Sequence, residues 1–317
     1  MVSYGVVLPT RGSVLESDDA AALTARTDRD VLGLAVAAEA GGFDSVWVGD
    51  SVVAKPRHEP LTTLGAVAGA TDAVGLGTAV YLPALRDAVH VAHATATLDH
   101  LSAGRFAFGV GAGPVESDYT AIGRPWTDRG RALDETLDVV TALWTGEPVS
   151  YDGDHVQYDG VGLGFSAAGP PPVLVASGVH PQKGIIRPIR QRMVAHGDGW
   201  LPANATPEAV EYGRRQLEAD VEASDREADF EVWFYLDVVI EEDPSAAIRT
   251  ARGFFEAYYP GYEPTDEQLR RRGVYGPSPD VKAEIARYVD AGVDHVVARF
   301  ASPDQFDQLE RYADAVL

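Results

Sequence analysis

Leu98-Asp99-His100-Leu101-Ser102-Ala103-Gly104-Arg105-Phe106-Ala107-Phe108-Gly109-Val110-Gly111-Ala112-Gly113 carries one turn of the pattern that decides the fold. Asp87 to His100 reads as a helix and Arg105 to Val110 as a strand. From Phe106 on the strand carries no polar side chain, as suits a parallel strand covered on both faces. It runs into Gly109-Val110-Gly111-Ala112-Gly113, which invites a dinucleotide reading. That fingerprint needs a third glycine at position 114, where Pro114 stands, so it fails. What remains is a glycine-rich strand end where a backbone can approach a flat ligand closely, or a plain tight turn.

The same unit recurs on both sides. Upstream, Tyr4 to Pro9, Phe43 to Val48 and Val74 to Val80 read as strands, separated by helices over Val31–Ala40 and Pro60–Thr71. Downstream, Leu133, Leu137, Val140 and Trp144 line one helical face. Residues 146–172 are looser, with Tyr151-Asp152-Gly153-Asp154 as a hairpin turn. Strands follow at Val173–Ala176, Gly199–Leu201, Phe230–Ile240 and Asp294–Phe300. Thr206-Pro207, Asp243-Pro244 and Ser278-Pro279 each open a helix with a cap residue and a proline. Ser302-Pro303-Asp304-Gln305 resembles a capping box for the last one. Eight strands, each followed by a helix, make a closed (β/α)8 barrel the economical solution, ahead of an open doubly wound sheet. With no linker, 1–317 is expected to be one domain. Residues 259–277 read as a long loop, and loops of that length are usually functional.

Composition narrows the function. The 317 residues hold 48 acidic and 26 basic side chains, a net charge of −22, so a nucleic-acid partner is disfavoured. Only Lys55, Lys183 and Lys282 are lysines. Abundant acid, scarce lysine and no cysteine suggest a salt-rich cytoplasm in which salt screens carboxylate repulsion. The absence of cysteine rules out disulfides, thiol nucleophiles and Fe–S clusters. No run reaches the ~18–20 apolar residues of a membrane span. The N-terminus reads as a strand and not as a signal peptide, so the expected compartment is the cytoplasm.

In a barrel the active site lies at the C-terminal ends of the strands. That rule selects 9–11, 49–53, 78–83, 109–117, 177–183, 202–204, 241–243 and 301–302. Asp50 is a candidate hydrogen-bond acceptor or acid/base there, or a helix cap. His90 and His93 are one turn apart on a helix that points away from the mouth, so no metal site is expected. Neither a Gly-x-Ser-x-Gly elbow nor a His-Glu-x-x-His motif is present. Lys183, Arg187, Arg190 and Arg192 form a basic island that is a candidate anion or phosphate site, or a solvated helix face. Arg270-Arg271-Arg272 is a second such island.

These residues resemble a known family. Residues 98–106 with the following glycines, Ala40 to Asp50, Leu76 to Val80, Ala195 to Trp200, and Gly276 to Val297 are similar to the luciferase-like monooxygenase superfamily, over nearly the whole chain. The resemblance implies a (β/α)8 barrel binding the deazaflavin coenzyme F-420 or FMN across its mouth. It implies a cis peptide at Ala79-Val80, and cofactor contacts from Asp50, Thr78, Ala79, Val80, Gly111, Ala112, Gly113, Ser177 and Gly178. The pattern is nearer the deazaflavin branch, particularly reductases related to methylenetetrahydromethanopterin reductase, and a salt-adapted archaeal source would fit it. Sugar-phosphate dehydrogenases of that branch carry a histidine after the strand-two acid and a glutamate after the glycine-rich strand. Ser51 and Pro114 stand there, so glucose 6-phosphate oxidation is in doubt. Asp50, Glu116 and His180 are the alternative proton-transfer groups.

The expectation is therefore an oxidoreductase moving a hydride between F-420 and a small organic substrate. The alternatives are an FMN-dependent monooxygenase served by a partner flavin reductase, and a non-catalytic deazaflavin-binding protein. Dimers are common in the family, so a homodimer is the assembly the resemblance suggests.

Overall fold

The computed structural model describes residues 2–11, 31–224, 230–259 and 261–317. β1 (Ser3–Val7) precedes a helix over 31–40 (α1), which stops where Gly42 takes a φ of 85°. Then come β2 (Ser45–Val48), α2 (Pro60–Ala68), β3 (Gly75–Thr78), α3 (Ala88–Leu101) and β4 (Phe106–Val110). Next are α4 (Glu116–Ala121), α5 (Arg129–Leu143) and an antiparallel hairpin of β5 (Val149–Asp152) and β6 (Gln157–Val161). The second half runs β7 (Val173–Ser177), α6 (Arg187–His196), β8 (Gly199–Pro202), α7 (Pro207–Glu222), β9 (Glu231–Ile240) and α8 (Pro244–Tyr258). It ends with α9 (Asp266–Arg272), β10 (Gly273–Gly276), α10 (Ser278–Asp290), β11 (His295–Phe300) and α11 (Gln305–Val316).

Eight of these strands close on themselves, all parallel, in the order β9-β11-β1-β2-β3-β4-β7-β8 and back to β9. The (β/α)8 barrel is therefore the observed fold. Thr206 and Asp243 cap α7 and α8 through their side chains, as their Thr-Pro and Asp-Pro pairs foretold. Two start signals are placed differently. The last helix is capped by Asp304, which accepts from the Asp307 amide, and not by Ser302. α10 begins at Ser278, with Pro277 as its cap residue and no side-chain cap.

The stretch 259–277 is not a structureless loop. It holds α9, closed by a capping box between Thr265 and Gln268, and β10, which pairs with Asp237–Ile240 beyond the barrel wall. Pro260 lies outside the described residues.

The large core lies between barrel and helices. Trp144 is buried there, its indole N–H donating to Thr95 Oγ1 at 2.9 Å and its ring edge-on to Phe108 at 5.7 Å. The barrel interior is a second, smaller core, with Trp47, Leu174, Leu201 and Val297 meeting Trp233 and Tyr235. Glycine makes room for it. A Cβ at Gly77 would lie 2.2 Å from the Trp47 ring, so a tryptophan fills the space that a neighbouring side chain would take.

Candidate active site

The mouth of the barrel is built from strand ends, and the tightest part is the junction of β3 and β4. The peptide between Ala79 and Val80 is cis. Thr78 Oγ1 donates to the Gly109 carbonyl at 2.7 Å, and the Tyr81 amide donates to the same oxygen at 2.7 Å. A Cβ at Gly109 would lie 1.8 Å from the Thr78 carbonyl oxygen, so only glycine allows this approach of two backbones. At Gly111 a Cβ would be 3.0 Å from Val80 Cγ2, so this backbone lies bare against the Val80 side chain. The Gly111 amide donates to the Tyr81 carbonyl at 3.0 Å, and Tyr119 Oη donates to the Ala112 carbonyl at 2.6 Å. Gly113 has a φ of 75°. On β7, Ser177 Oγ accepts from Trp200 Nε1 at 2.8 Å, and Gly178 is exposed beside it. Ala79, Val80 and Ala176 pack on the interior core. At the ends of β3, β4 and β7 the accessible residues include Ala79, Val80, Ala112, Gly113, Ser177 and Gly178, all with small side chains or none, while Thr78, Gly109 and Gly111 are buried behind them.

Asp50, just past the end of β2, is bonded to the segment that follows β3. Its carboxylate is 1% exposed and accepts from the Leu82 amide at 3.0 Å and from Arg86, whose Nη2 lies 3.0 Å from Oδ1. Both oxygens are engaged, so this geometry favours holding residues 81–86 in place over acid/base work. Asp118, a residue that sequence reasoning passed over, holds the turn after β2. Its Oδ1 accepts from the amides of Val52, Val53 and Ala54 at 3.1, 2.7 and 2.9 Å, and Ser51 Oγ donates to Oδ2 at 3.2 Å. No motif marks Asp118, because its three partners lie across a barrel loop.

The Lys183–Arg192 island does not form one cluster. Arg192 is buried against Asp134 of α5, and Arg190 Nε lies 3.3 Å from Asp220 of α7. Lys183 and Arg187 are exposed. The imidazole Nδ1 of His180 accepts from the amides of Gln182 and Lys183, which folds that loop on itself. Glu116 is exposed at the start of α4.

A different set of cations does converge. Arg11 follows β1, Lys55 and Arg57 follow β2, Arg272 precedes β10, and Arg299 lies on β11 beside Asp237 of β9. Arg299 Nε donates to Asp237 Oδ1 at 2.6 Å, and Arg272 Nε lies 3.3 Å from Oδ2. Arg11 donates twice to the Tyr258 carbonyl, at 3.0 and 2.7 Å, and Arg57 donates to Tyr258 Oη at 3.2 Å. Burial would push the Tyr259 phenol up, but Arg299, Arg272 and Lys55 outweigh it and hold the phenol at about 8. Only Arg272 belongs to an island visible in the sequence.

Among the described residues, no group of three His, Asp or Glu side chains could hold a metal ion, and no helix is long and apolar enough to cross a membrane.

The luciferase-like monooxygenase family matches residues 2–315. The chain belongs to this family. Among curated relatives, an F-420-dependent glucose-6-phosphate dehydrogenase from Beutenbergia cavernae is 31% identical, over 91% of this chain and 92% of that one. One from Amycolatopsis mediterranei is 28% identical, over 91% and 93%. Among solved structures, an F-420-dependent secondary alcohol dehydrogenase with a bound F-420–acetone adduct superposes with a TM-score of 0.79 at 20% identity, covering 99% of this chain and 98% of that one. The coenzyme F-420-dependent tetrahydromethanopterin reductase from Methanopyrus kandleri gives 0.77 at 20% identity, with the same coverage. At that identity the superpositions speak for the barrel alone.

Proposed function

We propose that this chain is an oxidoreductase that uses the deazaflavin coenzyme F-420 with a small organic substrate. The observation that carries the reading is the 31% identity, over nine-tenths of the chain, to a relative named for F-420-dependent dehydrogenation. The residues present fit such a group. A flat tricycle needs a wall with little protruding side chain; Gly109 and Gly111 let β4 close on Thr78 and Val80, and the accessible positions there are Ala79, Val80, Ala112, Gly113, Ser177 and Gly178. Ala79, Val80, Ala112, Gly113, Ser177 and Gly178 would hold the coenzyme; Thr78 and Gly111, buried and bonded to Gly109 and Tyr81, would shape the seat from behind, and Asp50 would position residues 81–86 through Arg86. When bound, the coenzyme supplies hydride-transfer chemistry.

Glucose 6-phosphate is not proposed as the substrate. Ser51 Oγ is engaged with Asp118 and the Lys55 amide, and Pro114 has no proton to exchange. The chain's own proton-exchanging candidate near the mouth is Tyr259, whose phenol, despite burial, is held at about 8 by the surrounding cations.

The test is a titration of F-420 and FMN against tryptophan fluorescence, since the Trp200 indole is bonded to Ser177 within the proposed seat. Saturable quenching by F-420, with FMN at least ~10-fold weaker, is expected. Tighter FMN binding would move the assignment to a flavin monooxygenase. Binding of neither to folded protein would overturn the reading.

A further inference from the structure

The five mouth cations come from four places in the chain and meet with one carboxylate. Among the described residues, the ion pairs of Arg11, Lys55, Arg57, Arg272 and Arg299 go to Asp237 alone. Among the described residues, four guanidinium nitrogens of the cluster are buried without a hydrogen-bond partner: Arg11 Nη1, Arg57 Nε, Arg272 Nε and Arg299 Nη2. Arg11 and Arg299 are only 4% and 6% exposed, so bulk water does not serve those nitrogens freely. The rest of the lining is aromatic. Arg11 lies 4.8 Å from the Tyr258 ring centre, Lys55 Nζ 4.8 Å from that of Tyr259, and Arg299 5.4 Å from that of Tyr235. The cations act on one another. The Lys55 ammonium is pushed down by burial first; Tyr259 pulls it up next, and Arg57, Arg11 and Arg299 push it down further, with a net lowering.

Buried like charges with unused N–H groups are costly, and an anion that accepts those bonds removes the cost. The place matters as well. In the sheet order the cluster occupies the β9-β11-β1-β2 arc, whereas the seat proposed for the coenzyme occupies β3-β4-β7. Arg57 joins the two. Its Nη1 lies 2.0 Å from where a Gly49 Cβ would be, and that same point is 3.4 Å from the Ala79 carbonyl oxygen.

We propose that Arg11, Lys55, Arg57, Arg272 and Arg299 form a built site for the anionic group, carboxylate or phosphate, of the substrate. The inference rests on the reading of the mouth as the active site. The acid group binds on the β1–β2 side, and the reacting part of the molecule is directed across Arg57 towards Ala79 and Val80. Arg11, Lys55 and Arg57 are the three members with no carboxylate among the described residues, and Lys55 and Arg57 are carried on the turn that Asp118 fixes.

The experiment is calorimetry of the full chain with inorganic phosphate and, separately, acetate at constant ionic strength, without coenzyme. A second readout is the phenolate absorbance of Tyr259, which bound anion bleaches by offsetting the surrounding cations. Saturable binding of at least one probe with bleaching is expected, and the tighter probe names the acid class. In Arg57→Gln and Lys55→Gln that affinity falls at least ~10-fold, while the F-420 affinity stays within ~2-fold. No saturable binding to the wild type, or unchanged affinity in both variants, would overturn the proposal. So would a parallel loss of F-420 affinity, which would assign the cations to the coenzyme. Because the anion is measured without coenzyme, failure of F-420 to bind would sink the coenzyme reading and leave this result standing.

Discussion

Replacing Asp237 by asparagine tests the electrostatics of the mouth most severely. The side chains of Asp237 and Arg299 are 2% and 7% exposed, so this pair is out of water. Asp237 also holds Arg272, at 3.3 Å. At charge separations of about 4 Å and an effective dielectric of about 20, each attraction is worth about 4 kcal/mol before desolvation. Asparagine keeps the shape and one acceptor oxygen but leaves the buried Arg299 and the partly buried Arg272 without a counter-charge. Breaking a buried pair this way costs about 3–5 kcal/mol. Domains are stable by only about 5–15 kcal/mol, so the loss is a large fraction of the total. Urea unfolding of wild type and Asp237→Asn at fixed salt reads it directly, provided the slope is unchanged. The double variant Asp237→Leu/Arg299→Met removes the pair together and should regain much of the loss. A cost for Asp237→Asn below about 1 kcal/mol would show that the pair is solvated, and the reasoning about buried cations would fail.

Three further outcomes follow from other parts of the structure. The Tyr259 phenolate should titrate with a midpoint near 8 in the folded protein, and Tyr259→Phe should remove that phase. Because the folded value lies below the ordinary 10, stability from this group should appear as pH rises through 8 and be complete above the unfolded value; a flat stability profile there in wild type would contradict it. Asp118→Ala leaves three amides of residues 52–54 without their acceptor and should cost about 1–3 kcal/mol by denaturant unfolding, with faster amide exchange in that turn. With a net charge of −22, we propose salt adaptation, and thermal stability should fall as KCl is diluted from multimolar to low concentration; equal stability at both would remove that idea.

The barrel was legible because each of its strands is a short apolar run and each is followed by helical spacing. β4 and β9 illustrate this, buried along most of their length. α9 was missed although Thr265-Asp266-Glu267-Gln268 carries a capping-box pattern; Gly273 and the three arginines obscured its short apolar face, where only Leu269 is buried. β10 could not be read, because it exists only by pairing with the overhanging end of β9. The glycines at the end of β4 were visible in the sequence, but a tight turn explained them as well as a ligand seat did; in the structure Gly109 serves the close approach of β4 to the Thr78 carbonyl. The basic island at 183–192 misled, because helix α6 turns Arg190 and Arg192 onto acids of α7 and α5, and linear spacing carries no information about those neighbours. The cation cluster at the mouth is the converse. Arg11, Lys55, Arg57 and Arg299 are isolated in sequence, and only barrel closure brings β1, β2 and β11 together.

The most direct check on the coenzyme assignment is the F-420 affinity of Gly178→Trp. A Cβ at Gly178 meets nothing within 4 Å, so the fold has room for the new side chain, while the proposed seat beside Ser177 loses its open surface. The account predicts an unchanged unfolding midpoint and an F-420 affinity at least ~10-fold weaker than wild type. Full F-420 affinity in a folded Gly178→Trp variant would contradict the placement of the coenzyme at the ends of β3, β4 and β7.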